Sequence, residues 1–81
     1  MKNNIEFKLE KNIHMYNHRL TIIYNNEEYS SIIEENIKNC LNIWLKDFNL
    51  PKDKEIDIRF ALYNWLSKQD YNVVFEKGSR V

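Results

Sequence analysis

The sequence is poor in the residues that bend or cross-link a chain, since its 81 residues include one glycine, one proline and one cysteine. A lone Cys40 excludes an intrachain disulfide and fits a reducing compartment. A lone Gly78 excludes a glycine-rich loop that would cradle a phosphate group. Because glycine and proline are so scarce, we expect asparagine and aspartate to form most of the turns.

The sequence also lacks a net charge and a long apolar run. Twelve Lys and Arg balance twelve Asp and Glu, so no overall field attracts the protein to nucleic acid or to anionic lipid. No apolar run approaches the roughly 20 residues that span a bilayer, and the opening MKNNIEFKLEK is charged where a signal peptide is apolar. We therefore expect a cytoplasmic protein that contacts no membrane. The abundance of Asn, Ile, Lys and Tyr, which share AT-rich codons, indicates a low-GC bacterial genome or one of its mobile elements, and hence a bacterial host cell.

The remaining composition is typical of one globular domain over residues 1–81. Alternating apolar and polar residues predict strands at NIEFKLE and RLTIIY, and the pair Asn25-Asn26 predicts a tight turn after the second strand. The stretch between these strands, residues 11–18, fits either a strand or a loop. Near the end of the sequence, YNVVFEK predicts a final strand.

Two helices are predicted between these strands. Ser31 and Glu34 match a capping box, and apolar residues then recur at helical spacing as far as Phe48. A second helix is predicted over residues 54–68, although its first turn also fits a strand. The expected fold is therefore α+β, with a small antiparallel sheet of three or four strands packed against two helices in the order β-β-α-α-β. The expected core consists of Phe7, Leu20, Ile22, Ile33, Ile37, Leu41, Trp44, Phe48, Phe60, Leu62, Val73 and Phe75.

The second predicted helix is apolar around most of its circumference. Ile56, Phe60 and Tyr63 form one stripe, and a second stripe ending at Trp65 lies roughly opposite. Such a helix must be covered on more than one side, and we expect the sheet and the first helix to cover it. The alternative is that Tyr63 or Trp65 is partly exposed as an interface anchor, a role for which Tyr and Trp are enriched.

No set of residues predicts catalysis, a metal site or a cofactor. His14 and His18 are four residues apart, but on a strand this spacing separates them by about 13 Å, too far for one zinc ion. Cys40 falls on the apolar side of the first predicted helix and is most simply a small buried hydrophobe. A nuclease that uses His14 and His18 as general acid and base stays open as a minor alternative.

The charge pattern is more informative. No Lys or Arg occurs from Leu20 to Ile37, and four glutamates fall within this segment around Tyr29. The helix dipole alone would account for Glu34 and Glu35 at the start of the predicted helix. It does not account for Glu27 and Glu28, which precede the predicted cap. An acidic patch with an aromatic centre suits a basic partner surface. The residues predicted to bind a partner are Glu27, Glu28, Tyr29, Glu34, Glu35, Tyr63 and Trp65.

We therefore expect a small cytoplasmic protein-binding module that is not an enzyme. It would act as a stand-alone inhibitor or adaptor of phage or mobile-element origin by covering a basic surface of a protein that normally holds nucleic acid. Anti-CRISPR proteins, which inhibit bacterial immunity, are a plausible class on grounds of size and composition. The alternative is a small nucleic-acid-binding regulator that uses the basic amino-terminal strands, including Lys2, and forms a homodimer through exposed rings of the second helix.

Overall fold

The chain forms one mixed β-sheet and one α-helix. In this computed structural model residues 4–37 and 39–80 are described. The five strands are β1 (Ile5–His14), β2 (Asn17–Tyr24), β3 (Glu27–Glu35), β4 (Cys40–Ile43) and β5 (Asn72–Phe75). The helix α1 (Glu55–Ser67) lies between β4 and β5 in the chain, and short 3-10 turns occupy Leu45–Phe48 and Lys52–Lys54.

The strands lie in the sheet in chain order, β1-β2-β3-β4-β5. The first four strands pair antiparallel, whereas β5 pairs parallel with β4. A parallel pair requires a crossover connection, and α1 provides it. As a result α1 packs on one face of the sheet. The outer strands of the sheet are β1 and β5, and each has one edge that no described strand pairs with.

The predicted arrangement of an antiparallel sheet with two helices in the order β-β-α-α-β is wrong. The residues predicted to form the first helix instead form β3, β4 and a 3-10 turn. Ser31, the predicted cap, pairs with Leu20 of β2. Lys38, which falls within the predicted first helix, lies outside the described residues. The β-branched and aromatic residues of the segment EEYSSIIEE suit a strand, and pairing along the whole of β2 outweighs the local capping signal.

Other predicted elements agree with the structure. The two amino-terminal strands, the final strand and the second helix occur close to their predicted places. Asn25 and Asn26 both have positive φ, 50° and 69°, as a tight hairpin turn requires. The ambiguous stretch of residues 11–18 is mainly strand: β1 continues to His14 through an irregularity after Glu10, and β2 begins at Asn17.

The core lies between α1 and one face of the sheet. Ile58, Leu62 and Leu66 of α1 are fully buried, and they face apolar side chains of the sheet such as Leu20 and Ile33. Among the predicted core residues, Leu20, Ile22, Ile33, Leu41, Phe48 and Leu62 are buried, and Phe7, Trp44, Val73 and Phe75 are half-buried. Ile37 and Phe60 are exposed, so their prediction as core residues was wrong. Ile37 follows β3 in a turn, and Phe60 lies on the side of α1 that no second helix covers.

Candidate protein-binding surface

One side of α1 is apolar and uncovered. Ile56, Phe60 and Tyr63 recur at helical spacing, and their exposed fractions are 66%, 67% and 47%. These residues form the stripe that the sequence predicts, but the helix that was expected to cover it is replaced by strands. Exposed large side chains grouped in this way mark interaction sites in soluble proteins.

The free edge of β5 runs beside this stripe. The amides of Asn72 and Glu76 donate to the carbonyls of Asn39 and Ile43, on the β4 side. Because backbone groups alternate in direction along a strand, the N–H and C=O groups of Val73 and Phe75 face away from β4. Since β5 is last in the sheet order, no described strand pairs with these groups.

A groove of about 520 Å³ separates the stripe from β5. It is lined by Ile56, Arg59, Phe60, Tyr63, Val73 and Phe75, and we call these six residues with the free edge of β5 the α1–β5 surface. Arg59 is the one charged residue in this lining, and its guanidinium lies 4.9 Å from the centre of the Phe75 ring. Among residues 4–37 and 39–80 no carboxylate lies within ion-pair distance of Arg59. The contribution of β5 to this surface is not evident from the sequence, because the spacing of Val73 and Phe75 indicates core residues.

The predicted anchors Tyr63 and Trp65 lie on different flanks of α1. Tyr63 belongs to the α1–β5 surface. Trp65 is half-buried and packs on Phe7 of β1, with ring centres 5.3 Å apart. Trp65 therefore contributes to the packing of α1 on β1, and the structure does not bring it together with Tyr63.

The predicted acidic patch is divided by strand geometry. Alternate residues of a strand face opposite sides of the sheet, so Glu28 and Glu34 lie on the face away from α1, which we call the open face, and Glu27, Tyr29 and Glu35 on the other. Glu27 and Glu28 are exposed near the β2–β3 turn, and Tyr29 packs against the core. The five predicted residues therefore do not form one surface.

Two of these glutamates have partners within the chain. The Nε of Arg80 donates to Glu34 at 2.7 Å. Glu35 accepts hydrogen bonds from His18 Nε2 at 2.8 Å and from the Asn39 amide at 2.9 Å. The His18 hydrogen bond, followed by that of Asn39, holds the pKa of Glu35 below its ordinary value.

The carboxy-terminal residues are held in a similar way. Asp47 accepts hydrogen bonds from the Ser79 hydroxyl and from the Arg80 amide. The hydrogen bond from Ser79 has the larger effect and the one from Arg80 the next largest, and both hold the pKa of Asp47 below its ordinary value. Together with the Arg80–Glu34 pair they fix the segment after β5 against the 3-10 turn and β3.

In the described part of the chain the two histidines lie in different environments, and Arg19 and Lys11 each contact another side chain. His18 is fully buried with both ring nitrogens engaged, Nδ1 accepting from the Asn12 amide, while His14 is exposed. Arg19 pairs with Glu10, and Lys11 lies over the Tyr71 ring. Lys2 lies outside the described residues.

The described part of the chain contains no group of three or more residues that could hold a metal ion. It also contains no helix that is both long and apolar enough to cross a membrane.

Comparison of the chain with protein-family models, with curated proteins and with solved structures gave no match. Inferences about function therefore rest on the chain's own residues and geometry.

Proposed function

We propose that the chain is a protein-binding module and that the α1–β5 surface is its main contact surface. The observation that carries this proposal is the uncovered stripe of Ile56, Phe60 and Tyr63 beside an unpaired strand edge. Burying an apolar side chain of this size contributes about 1.5–3 kcal/mol when it moves from full exposure to full burial. A partner that covers these three side chains would therefore gain a substantial part of a specific binding energy.

The surface combines two features that protein interfaces use. The stripe offers the aromatic side chains Phe60 and Tyr63, a class of residue enriched at the centres of interfaces. The edge of β5 offers backbone donors and acceptors that need a partner. In our proposal the module works in the cytoplasm of a bacterial cell as an inhibitor or adaptor, by occupying a surface of another protein.

A capture experiment with matched variants tests this proposal. The tagged full chain is used as bait in a lysate of a low-GC bacterium, with and without nuclease, and retained proteins are identified by mass spectrometry. Phe60→Glu places a charge in the stripe, whereas Asn64→Glu places the same charge at an exposed position of α1 outside it. We expect a protein partner that survives nuclease, is retained by Asn64→Glu and is lost with Phe60→Glu. Retention of that partner by Phe60→Glu would refute the α1–β5 surface as the contact site.

A second candidate site is the acidic end of the β2–β3 hairpin, where Glu27 and Glu28 remain exposed. The exposure of these two glutamates supports binding to a basic protein surface. This site has two of the five residues that the sequence predicts for it. The double change Glu27→Lys and Glu28→Lys distinguishes the two sites. If this variant loses the partner while Phe60→Glu retains it, the acidic end is the contact site. Loss of all retained proteins on nuclease treatment would instead support nucleic-acid binding.

A further inference from the structure

We infer that the partner which fits the α1–β5 surface is a second copy of this chain, joined by antiparallel pairing of the two β5 strands about Val74. This inference rests on the proposed function, since the second copy occupies the β5 edge of the same surface and the stripes of both copies stay available to another protein. The result would be a continuous sheet of two copies related by a twofold axis, with both α1 helices on the same face.

The two edges of the sheet differ in how they are protected. β1 carries Glu6, Lys8 and Glu10 and has an irregularity between Glu10 and His14. Charges and irregular pairing are the features by which proteins prevent an edge strand from joining another strand. β5 reads Asn-Val-Val-Phe and has neither feature, so its protection is limited to its short length of four residues. The edge beside the apolar stripe is therefore the edge that is left able to pair.

Of the self-complementary registers that the backbone of β5 allows, the one centred on Val74 pairs both outward-facing residues of the strand with each other. Its outward-facing groups belong to Val73 and Phe75, so Val73 of one copy lies opposite Phe75 of the other when Val74 is on the twofold axis. In an antiparallel sheet such pairs exchange both backbone hydrogen bonds. Val74 then faces Val74 of the second copy in the closely spaced, non-hydrogen-bonded position between them.

This register covers apolar side chains on both faces of the sheet. Val74 lies on the open face with 42% of its surface exposed, and in the pair it packs against its counterpart. Val73 and Phe75 lie on the α1 face, where the grooves of the two copies merge into one trough flanked by both stripes. The register thus accounts for the exposure of Val74, while Phe60 and Tyr63 of both copies line the two sides of the trough.

The charges around β5 favour the antiparallel orientation. Asp70 precedes the strand and Lys77 follows it. Antiparallel pairing brings the Asp70 end of one copy to the Lys77 end of the other, whereas parallel pairing would bring like charges together. The twofold arrangement also uses the β5 edge of both copies and leaves none free, so the assembly closes at two chains.

The mass of the full chain in solution tests the inference directly. Sedimentation velocity and light scattering from about 10 µM to about 1 mM cover the range in which weak interfaces become populated. We expect a species of twice the chain mass of 9.9 kDa. Val74→Lys places two like charges opposite each other on the twofold axis and should return the chain to a monomer. Ser30→Lys, also exposed on the open face but on β3, should leave the dimer intact.

A disulfide reports the register itself. In a Cys40→Ser background, Val74→Cys places two thiols opposite each other, where the Cα separation of about 4.5 Å lies within the range for a disulfide. Oxidation should then give a covalent dimer in high yield. Val73→Cys is the matched control, because Val73 faces Phe75 of the second copy and its thiol has no counterpart opposite.

The outcomes separate this inference from the proposed function. A chain that stays monomeric over the whole concentration range, or a dimer that Val74→Lys leaves unchanged, overturns pairing through β5. Equal cross-linking of the Val74→Cys and Val73→Cys variants overturns the register. In each of these cases a partner that is captured in a Phe60-dependent way would still uphold the proposed function. A dimer lost with Val74→Lys and kept with Ser30→Lys supports the inference.

Discussion

The Nε2 atom of His18 lies 2.8 Å from Oε1 of Glu35 and joins the start of β2 to the end of β3 inside the protein. His18 is fully buried, so each ring nitrogen needs a partner. Nδ1 accepts from the amide of Asn12, which leaves the proton on Nε2 to be donated to the carboxylate. Asn12 and Asn39, the two residues whose amides this pair binds, both have positive φ. The pair thus holds the irregular part of β1 and the turn before β4, as well as β2 and β3.

Replacing Glu35 should destabilise the fold. Glu35→Gln removes the charge that accepts from His18 and from the Asn39 amide, and we expect the free energy of unfolding to fall by about 1–3 kcal/mol. Urea unfolding at pH 7 measures the loss. Glu28→Gln on the same strand is exposed and should change the free energy by less than about 0.5 kcal/mol. Equal effects of the two changes would contradict a structural role for the His18–Glu35 pair.

Acid should remove the Glu35 contribution. The pKa of Glu35 in the folded chain lies below its ordinary value of 4.5, so the unfolded chain binds this proton more readily. The contribution is therefore fully present above the unfolded pKa and is lost as pH falls through the folded pKa. We expect wild type and Glu35→Gln to differ most above pH 4.5 and to converge below it. A difference that stays constant as the pH falls would be inconsistent with this assignment.

Truncation of two large side chains of α1 should reduce the stability of the fold by very different amounts. Leu62 is fully buried, so Leu62→Ala should cost about 2–5 kcal/mol of stability. Phe60 is 67% exposed, so Phe60→Ala should change the stability of the isolated chain by less than about 0.5 kcal/mol. Thermal and urea unfolding at low concentration compare the two variants. A large loss with Phe60→Ala would mean that the stripe is covered within a single chain.

The β2–β3 turn should prefer glycine to alanine at position 26. Asn26 has φ of 69°, a conformation that costs most side chains about 1–2 kcal/mol and costs glycine almost nothing. Asn26→Gly should therefore unfold at higher urea concentration than Asn26→Ala by an amount close to that penalty. Asn26 is exposed, so loss of packing does not complicate the comparison. Equal stability of the two variants would contradict the left-handed turn.

Local signals were sufficient for several elements. The Asn25-Asn26 pair predicts its turn because few residues tolerate left-handed backbone. The apolar spacing and the length of residues 54–68 favour a helix over a strand, although the first turn fits both. The segment from Ser31 to Phe48 is wrongly predicted as a helix because its apolar residues fit helical spacing. In the structure these residues belong to two strands and a 3-10 turn. The strand β3 of this segment forms because it pairs with β2. This pairing is a tertiary interaction, and the spacing of apolar residues within the segment does not reveal it.

The candidate surface was predictable only in part. The sequence identifies the stripe of Ile56, Phe60 and Tyr63, but whether it is covered depends on the first predicted helix, which does not form. The acidic residues were identified as a group because they are close in sequence. Strand alternation then separates Glu34 from Glu35, and each takes a partner distant in sequence, Arg80 and His18. Those pairings arise from the tertiary fold and leave no local pattern.

The parallel pairing of β5 with β4 has a consequence for how the chain opens. β1, β2 and β3 are joined by tight turns and can re-form quickly by local contacts, whereas β5 meets β4 only after α1 has crossed the sheet. Closing that long connection carries a larger entropy cost than closing a hairpin. With four residues and one neighbour, β5 is the strand expected to separate first and to return last. Hydrogen exchange at its amides should thus report the most frequent opening of the fold, and any molecule bound along its outer edge would slow that opening.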